Sequence, residues 1–92
     1  MSNKMFYVYV LFDKNRNFYI GYSKDLKARI KEHRDGKVYS TKTKLPIKLI
    51  YYEACVNQFD AVKREKYLKS GPGRKFLKNR LKRFIGDKNL IK

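Results

Sequence analysis

At 92 residues, with 42% hydrophobic and 15% aromatic content, the chain has apolar mass for one core, which excludes a second domain and a wholly disordered chain. Lys and Arg number 24 against 8 Asp and Glu, a formal net charge of +16; such self-repulsion in a compact state points to a polyanionic partner, nucleic acid ahead of a membrane surface. The single cysteine, Cys55, excludes an internal disulfide and a Cys-rich zinc site, and no apolar run approaches the roughly 20 residues of a membrane span. No signal-peptide pattern opens the chain, so a cytoplasmic protein is expected.

Met5 to Phe12 is rich in β-branched and aromatic residues without a helical period, and predicts a strand buried on at least one face. Asp13 to Asn17 is polar turn material and Phe18 to Tyr22 is strand-like again, so the two runs form a β-hairpin. Asp25 to Arg34 predicts a helix. Ser23 or Asp25 caps its start, Leu26, Ile30 and His33 fall at i, i+4 and i+7, and Gly36 suits its C-terminal end. Lys37 to Leu45 is a basic, hydroxyl-bearing loop closed by Pro46. Ile47 to Ala54 is a third strand, with Cys55 expected to be a small buried thiol. Phe59 to Lys69 predicts a second helix, Ser70-Gly71-Pro72-Gly73 breaks it, and Arg74 to about Phe84 forms a third. Leu77, Leu81, Phe84 and Ile85 lie on one side of that third helix. The order β-β-α-β-α-α predicts a small α/β sandwich, an antiparallel sheet with helices packed on it. The domain is expected to span 1–92, with its core over about 5–84 and a fraying tail over 85–92.

Residues paired across a hairpin ladder point to the same side of the sheet. With an odd loop and no bulge, Tyr7, Tyr9, Leu11, Tyr19 and Gly21 share one face, and Gly21 leaves space for a backbone or phosphate to approach. The tyrosines are either core residues with hydroxyls at the rim or members of a site. Arg29 and His33, the only histidine, project side by side one helical turn apart. Arg29 borders the buried stripe, where a guanidinium could clamp a phosphate with two hydrogen bonds. His33 serves either as a helix-end structural residue or as a proton carrier.

On the second helix Ala61, Val62, Glu65 and Leu68 form the stripe predicted to face the sheet. A carboxylate there needs a cation or hydrogen-bond donors, which leaves an ion pair with Lys or Arg, or a metal ion. Magnesium keeps several waters and takes one or two protein carboxylates plus substrate phosphates, so a single Glu suffices. The 8 acids form no paired-carboxylate motif, which argues against a two-metal site.

Tyr7-Val8-Tyr9, nine intervening residues and Tyr19-Ile20-Gly21 resemble the signature of the GIY-YIG nuclease superfamily. Arg29, ten residues after Tyr19, and His33 one turn later fit the same pattern. Arg64-Glu65-Lys66-Tyr67-Leu68-Lys69 is similar to the metal-binding glutamate segment of the small stand-alone, excinuclease-subunit-like branch. The resemblance runs from about Met5 to Leu81. It implies a single small α/β domain, a three-stranded antiparallel sheet flanked by helices, and metal-dependent DNA cleavage. By the same resemblance Glu65 holds one Mg²⁺ or Mn²⁺, and Tyr19, with Tyr9 close by, positions or deprotonates the attacking water. Arg29 stabilises transition-state charge, and His33 assists proton transfer or orients the water. The chain departs from the pattern in three places. Tyr7 replaces the first glycine, Tyr22 stands where some relatives carry a lysine, and Asn79 matches only loosely an asparagine some members use.

Between Ala61 and Phe84 ten Lys and Arg accompany one acid, a surface suited to a phosphate backbone. Lys63, Arg64, Lys66, Lys69, Arg74, Lys75 and Lys78 are candidate nucleic-acid contacts there, and Lys42 and Lys44 form a second basic stretch in the loop. The expected partner is DNA or, on the same electrostatics, RNA; no membrane is involved and a monomer is expected. With no zinc finger or separate recognition domain, cleavage is expected to depend on DNA structure rather than sequence. Two other classes remain open: a non-catalytic basic DNA- or RNA-binding module on the same fold, and a basic structural protein of a nucleoprotein assembly. Glu65 discriminates, because a pure binder gains nothing from a buried acid opposite a phosphate.

Overall fold

The computed structural model describes residues 4–86. Strand β1 (Phe6–Phe12) is central, paired antiparallel with β2 (Phe18–Ser23) on one side and β3 (Lys48–Cys55) on the other, giving the order β2-β1-β3. The hairpin turn is organised by Asp13, whose Oδ1 accepts from the backbone N–H groups of Asn15 at 2.8 Å and Asn17 at 2.9 Å. The turn adds no bulge, so Tyr9 stands opposite Gly21 and Leu11 opposite Tyr19, the shared face that parity predicts. Between β1 and β3 the register shifts at Val10/Leu11.

Alternation splits the core in two. Val8, Val10 and Ile20 face α2 (Gln58–Lys69) and α3 (Gly71–Arg80), packing on Ala61, Leu68 and Leu77. Tyr9 and Leu11 face the other way, packing with Ile30 of α1 (Leu26–Arg34) and Ile47 of the loop before β3. Asp25 is the N-cap of α1, accepting from the Ala28 N–H at 3.1 Å, while Ser23 bonds to Asp25 itself. The predicted element order is present, and a single-turn helix α4 (Lys82–Gly86) follows α3.

Five local expectations are corrected. The second helix ends at Lys69 as expected, but the break is confined to Ser70 and Gly71-Pro72-Gly73 is already the first turn of α3, since a proline early in a helix gives up an N–H that has no intrahelical partner. Ser70 caps that turn by accepting from the Gly73 N–H at 3.3 Å, and α3 ends at Arg80, with Leu81 as its C-cap, instead of running to Phe84. A Cβ on Gly73 would overlap the backbone of Tyr67 and Leu68, so glycine is what lets α3 fold back tightly on α2. Val62 is 43% exposed: it lies about 100° round the helix from Ala61, outside the stripe that Ala61 and Leu68 centre. Cys55 is half-buried at the end of β3, not enclosed. Ile85 and Gly86, expected to fray, belong to α4; the remainder of the predicted tail lies outside the described residues. No helix among the described residues is long and apolar enough to cross a membrane.

Candidate active site around two tyrosines

The centre of the odd-numbered face is a packed polar cluster. Tyr9, 1% exposed, lies with its ring directly over Gly21, where any Cβ would overlap its Cζ and hydroxyl. The space sequence reasoning reserved for a phosphate is therefore filled by the Tyr9 phenol, and glycine is required there for that reason. Tyr9 Oη is 2.9 Å from His33 Nε2, and His33 Nδ1 is 2.7 Å from Thr41 Oγ1. His33 and Thr41 are fully buried. The helix period brings His33 inward beside Ile30, and the loop after Gly36 folds back to place Thr41 beneath it.

Electrostatics fixes the protons in this chain. Burial raises the Tyr9 pKa above 10.0, partly opposed by the Arg29 guanidinium beside it, so the phenol stays protonated near neutrality. Burial, then Arg29, lowers His33 below 6.5, so its ring is neutral. A cation next to Tyr9 Oη favours the O–H dipole pointing away from it, toward His33 Nε2. Nδ1 then carries the ring proton and donates to Thr41 Oγ1. Both ring nitrogens are engaged within the protein, and the ring is shut off from solvent.

Tyr19 is the phenol at the surface of the cluster. It is half-buried, its ring centroid lies 6.5 Å from that of Tyr9 and 5.2 Å from that of His33, and its Oη accepts from Ser40 Oγ at 3.3 Å. Arg29 is a third exposed, and its one carboxylate partner is Glu32, an i,i+3 contact at 3.2 Å on the surface. Glu65 comes from α2, which packs on the opposite face against β1 and the edge strand β2. Its carboxylate is near enough to add to the rise in the Tyr9 pKa. It is largely buried and pairs with Lys69 at 3.1 Å, so the ion-pair partner that sequence reasoning left open is present.

Comparison with known proteins identifies the family. The GIY-YIG catalytic domain family matches residues 5–80, which include all of the residues above. The chain belongs to the GIY-YIG family. The family is one of nucleases acting on DNA. Curated relatives include a UPF0213 protein of Lacticaseibacillus paracasei, 37% identical over 75% of this chain and 79% of that one, and one of Clostridium perfringens, 34% identical over 94% and 88%. The solution NMR structure of a UPF0213 protein from Bacillus halodurans superposes with a TM-score of 0.53 at 31% identity, covering 95% of this chain and 92% of that one.

The candidate nucleic-acid contacts of this GIY-YIG domain divide into groups. Lys63, Lys66 and Lys75 are exposed on the outer sides of α2 and α3, and Lys42 lies with its Nζ 4.9 Å above the ring of the exposed Tyr39. Lys44, Arg74 and Lys78 line one concavity. Arg64 differs from the others in being engaged within the protein: its guanidinium forks onto Glu53 at 2.8 and 3.0 Å and lies about 5 Å from the ring centroids of Tyr67 and Phe76. Tyr51 also donates to Glu53, at 2.9 Å. Burial pushes the Glu53 carboxyl up, but Arg64 and Tyr51 outweigh it and hold it below 4.5. Arg64 is a strut between β3, α2 and α3. The site residues that sequence reasoning missed are Ser40 and Thr41, since nothing in a run of Ser, Thr and Lys marks which hydroxyl meets Tyr19 and which is buried against His33.

Proposed function

We propose that this GIY-YIG domain is a metal-dependent DNA endonuclease that cuts phosphodiester bonds according to DNA structure rather than sequence. The observation that carries the reading is the packing of Tyr9, Tyr19 and Arg29 into one partly exposed polar cluster, within a domain that matches the nuclease family over residues 5–80.

The donor set suits one hard cation. Among the described residues no three His, Cys, Asp or Glu gather to hold a metal ion, so Glu65 would be the single protein ligand, with water and substrate phosphate completing the shell. Such an ion, when bound, neutralises phosphate charge and makes a bound water more acidic. The chain's own residues divide the remaining work. Arg29, held beside Tyr9 and open to solvent on one side, binds the scissile phosphate and stabilises the charge that grows on it. Tyr19, the accessible phenol, orients the attacking water, with Ser40 fixing its hydroxyl. Tyr9, His33 and Thr41 form a rigid support: Tyr9 stays protonated, and its O–H is aimed by a ring that Thr41 holds in one tautomer.

The test uses branched, flapped and single-stranded DNA with Mg²⁺ or Mn²⁺, and with chelator. Wild type cuts only with metal and prefers one of the structured substrates. Glu65→Gln abolishes cutting with binding retained, and Arg29→Ala lowers the rate by about 10²–10³, the usual loss for one transition-state donor. Binding without metal-dependent cutting would favour the non-catalytic module.

A further inference from the structure

At the hairpin end of the sheet, on the face opposite the Tyr9–His33 cluster, a groove of about 630 Å³ opens between the turn after β1, α3 and α4. Its walls carry Arg16, Lys44, Arg74, Lys78 and Lys82, and no acid. None of these five takes part in the four ion pairs formed among the described residues. Its floor is apolar, made of Phe12, Phe18 and Ile85. Arg16 is held over that floor: it adopts a left-handed φ of 64°, donates from Nη2 to the Ile85 carbonyl at 3.0 Å and stands 5.4 Å from the Phe12 ring centroid.

Cations converging on one concavity repel each other, and no side chain of the groove offsets that repulsion. An anion is therefore the fitting occupant, and the apolar floor narrows its chemistry. Duplex DNA hides its base faces in the stack and presents phosphates alone. A single strand presents phosphates and base faces together, and a cationic groove with an aromatic floor matches both.

We propose that this groove is a second nucleic-acid site that takes a single-stranded segment, with phosphates against the five cations and bases against Phe18 and Ile85. Its occupant rests on the nuclease reading, and its position agrees with that reading. Phe18 is the residue before Tyr19 on β2, and Lys44 follows the His33 partner Thr41 by three residues, at most about 11 Å of chain. Phe18 and Tyr19 point to opposite faces of the edge strand β2, so a strand that passes from the groove round that edge would reach Tyr19. That arrangement suits cutting where single-stranded and double-stranded DNA meet.

The test measures binding by fluorescence anisotropy in chelator, where no cutting interferes, using labelled oligothymidylate and a duplex of equal length. Two triple variants lose equal charge: Arg74→Gln/Lys78→Gln/Lys82→Gln in the groove, and Lys24→Gln/Lys27→Gln/Arg34→Gln at exposed positions on α1 and just before it (the α1 variant), both checked for folding by circular dichroism. The groove variant is expected to lose oligothymidylate affinity tenfold or more beyond the α1 variant, and its salt slope to fall by about 2, or about 0.7 per phosphate contact. The duplex is expected to separate the two variants by less than threefold. Equal losses of the single strand in both variants overturn the groove. Cleavage assays separate the two readings. A groove variant that binds single strands as the α1 variant does, in a protein that cuts, removes the groove and leaves the nuclease; selective loss of binding in a protein that never cuts does the reverse.

Discussion

Replacing Thr41 with valine removes one hydroxyl and almost nothing else. Valine has nearly the same volume and the same β-branching, so neither a cavity nor a change of backbone preference accompanies the change. What it removes is the partner of His33 Nδ1, 2.7 Å away in a site where both residues are buried. The ring cannot escape by changing tautomer, since Nδ1 would then present an unpaired acceptor instead of an unpaired donor. A buried polar group left without a partner costs about 1–3 kcal/mol. For a domain of this size each kcal/mol moves the melting temperature by about 4–8 °C, so a loss of about 2 kcal/mol lowers it by about 8–16 °C. Thermal unfolding followed by circular dichroism measures the shift. Thr43→Val on the exposed part of the same loop is the control and should stay within about 0.5 kcal/mol. Ring ¹⁵N chemical shifts report the tautomer, expected as Nδ1–H in wild type. A Thr41→Val protein that melts within about 2 °C of wild type refutes the buried relay, because a group that loses nothing was not bonded.

The other expectations follow from neighbouring parts of the structure. Gly21→Ala forces a Cβ into the Tyr9 phenol, at about 1–3 kcal/mol for an overpacked site, and should disturb the His33 ring signals as the Tyr9 hydroxyl is displaced. Arg64→Ala should lower stability by about 1 kcal/mol in urea unfolding, because its pair with Glu53 is only partly shielded from solvent. Its DNA affinity should fall no more than that of Lys27→Gln; a much larger fall would place Arg64 among the DNA contacts. Stability should depend on pH at both ends. His33 has its pKa lowered by folding, so the unfolded state binds more protons once the pH drops below about 6.5, and the melting temperature falls as the pH is lowered through the folded value. Tyr9 has its pKa raised, so above about pH 10 the unfolded state ionises first and stability is lost there. A pH series of melting curves checks the sign, and His33→Gln should flatten the acid limb.

Much of the site was legible because its periods are local. Two-residue alternation across an unbulged hairpin puts Tyr9 and Tyr19 on one face, and helical spacing puts His33 inward beside Ile30. The turn at Gly71-Pro72-Gly73 was misread because glycine and proline mark both loops and first helical turns. Only the docking of α3 on Tyr67 and Leu68 decides between those uses. The pairing of Arg64 was not legible because its partner lies on another element, Glu53 on β3, and charge counting does not see it.

The residues alone determined that this chain builds a small basic α/β domain, and that two phenols, a guanidinium and an imidazole share its first hairpin and helix. Those relations are set by bonds and periods within a few turns of chain. Tertiary structure alone decided that the Tyr9 ring occupies the space over Gly21, that Thr41 holds His33, and that Glu65 approaches from behind the sheet. It also decided that basic residues far apart in the chain line one groove. Each of these depends on how separate elements pack, a matter of shape and burial that no single segment carries.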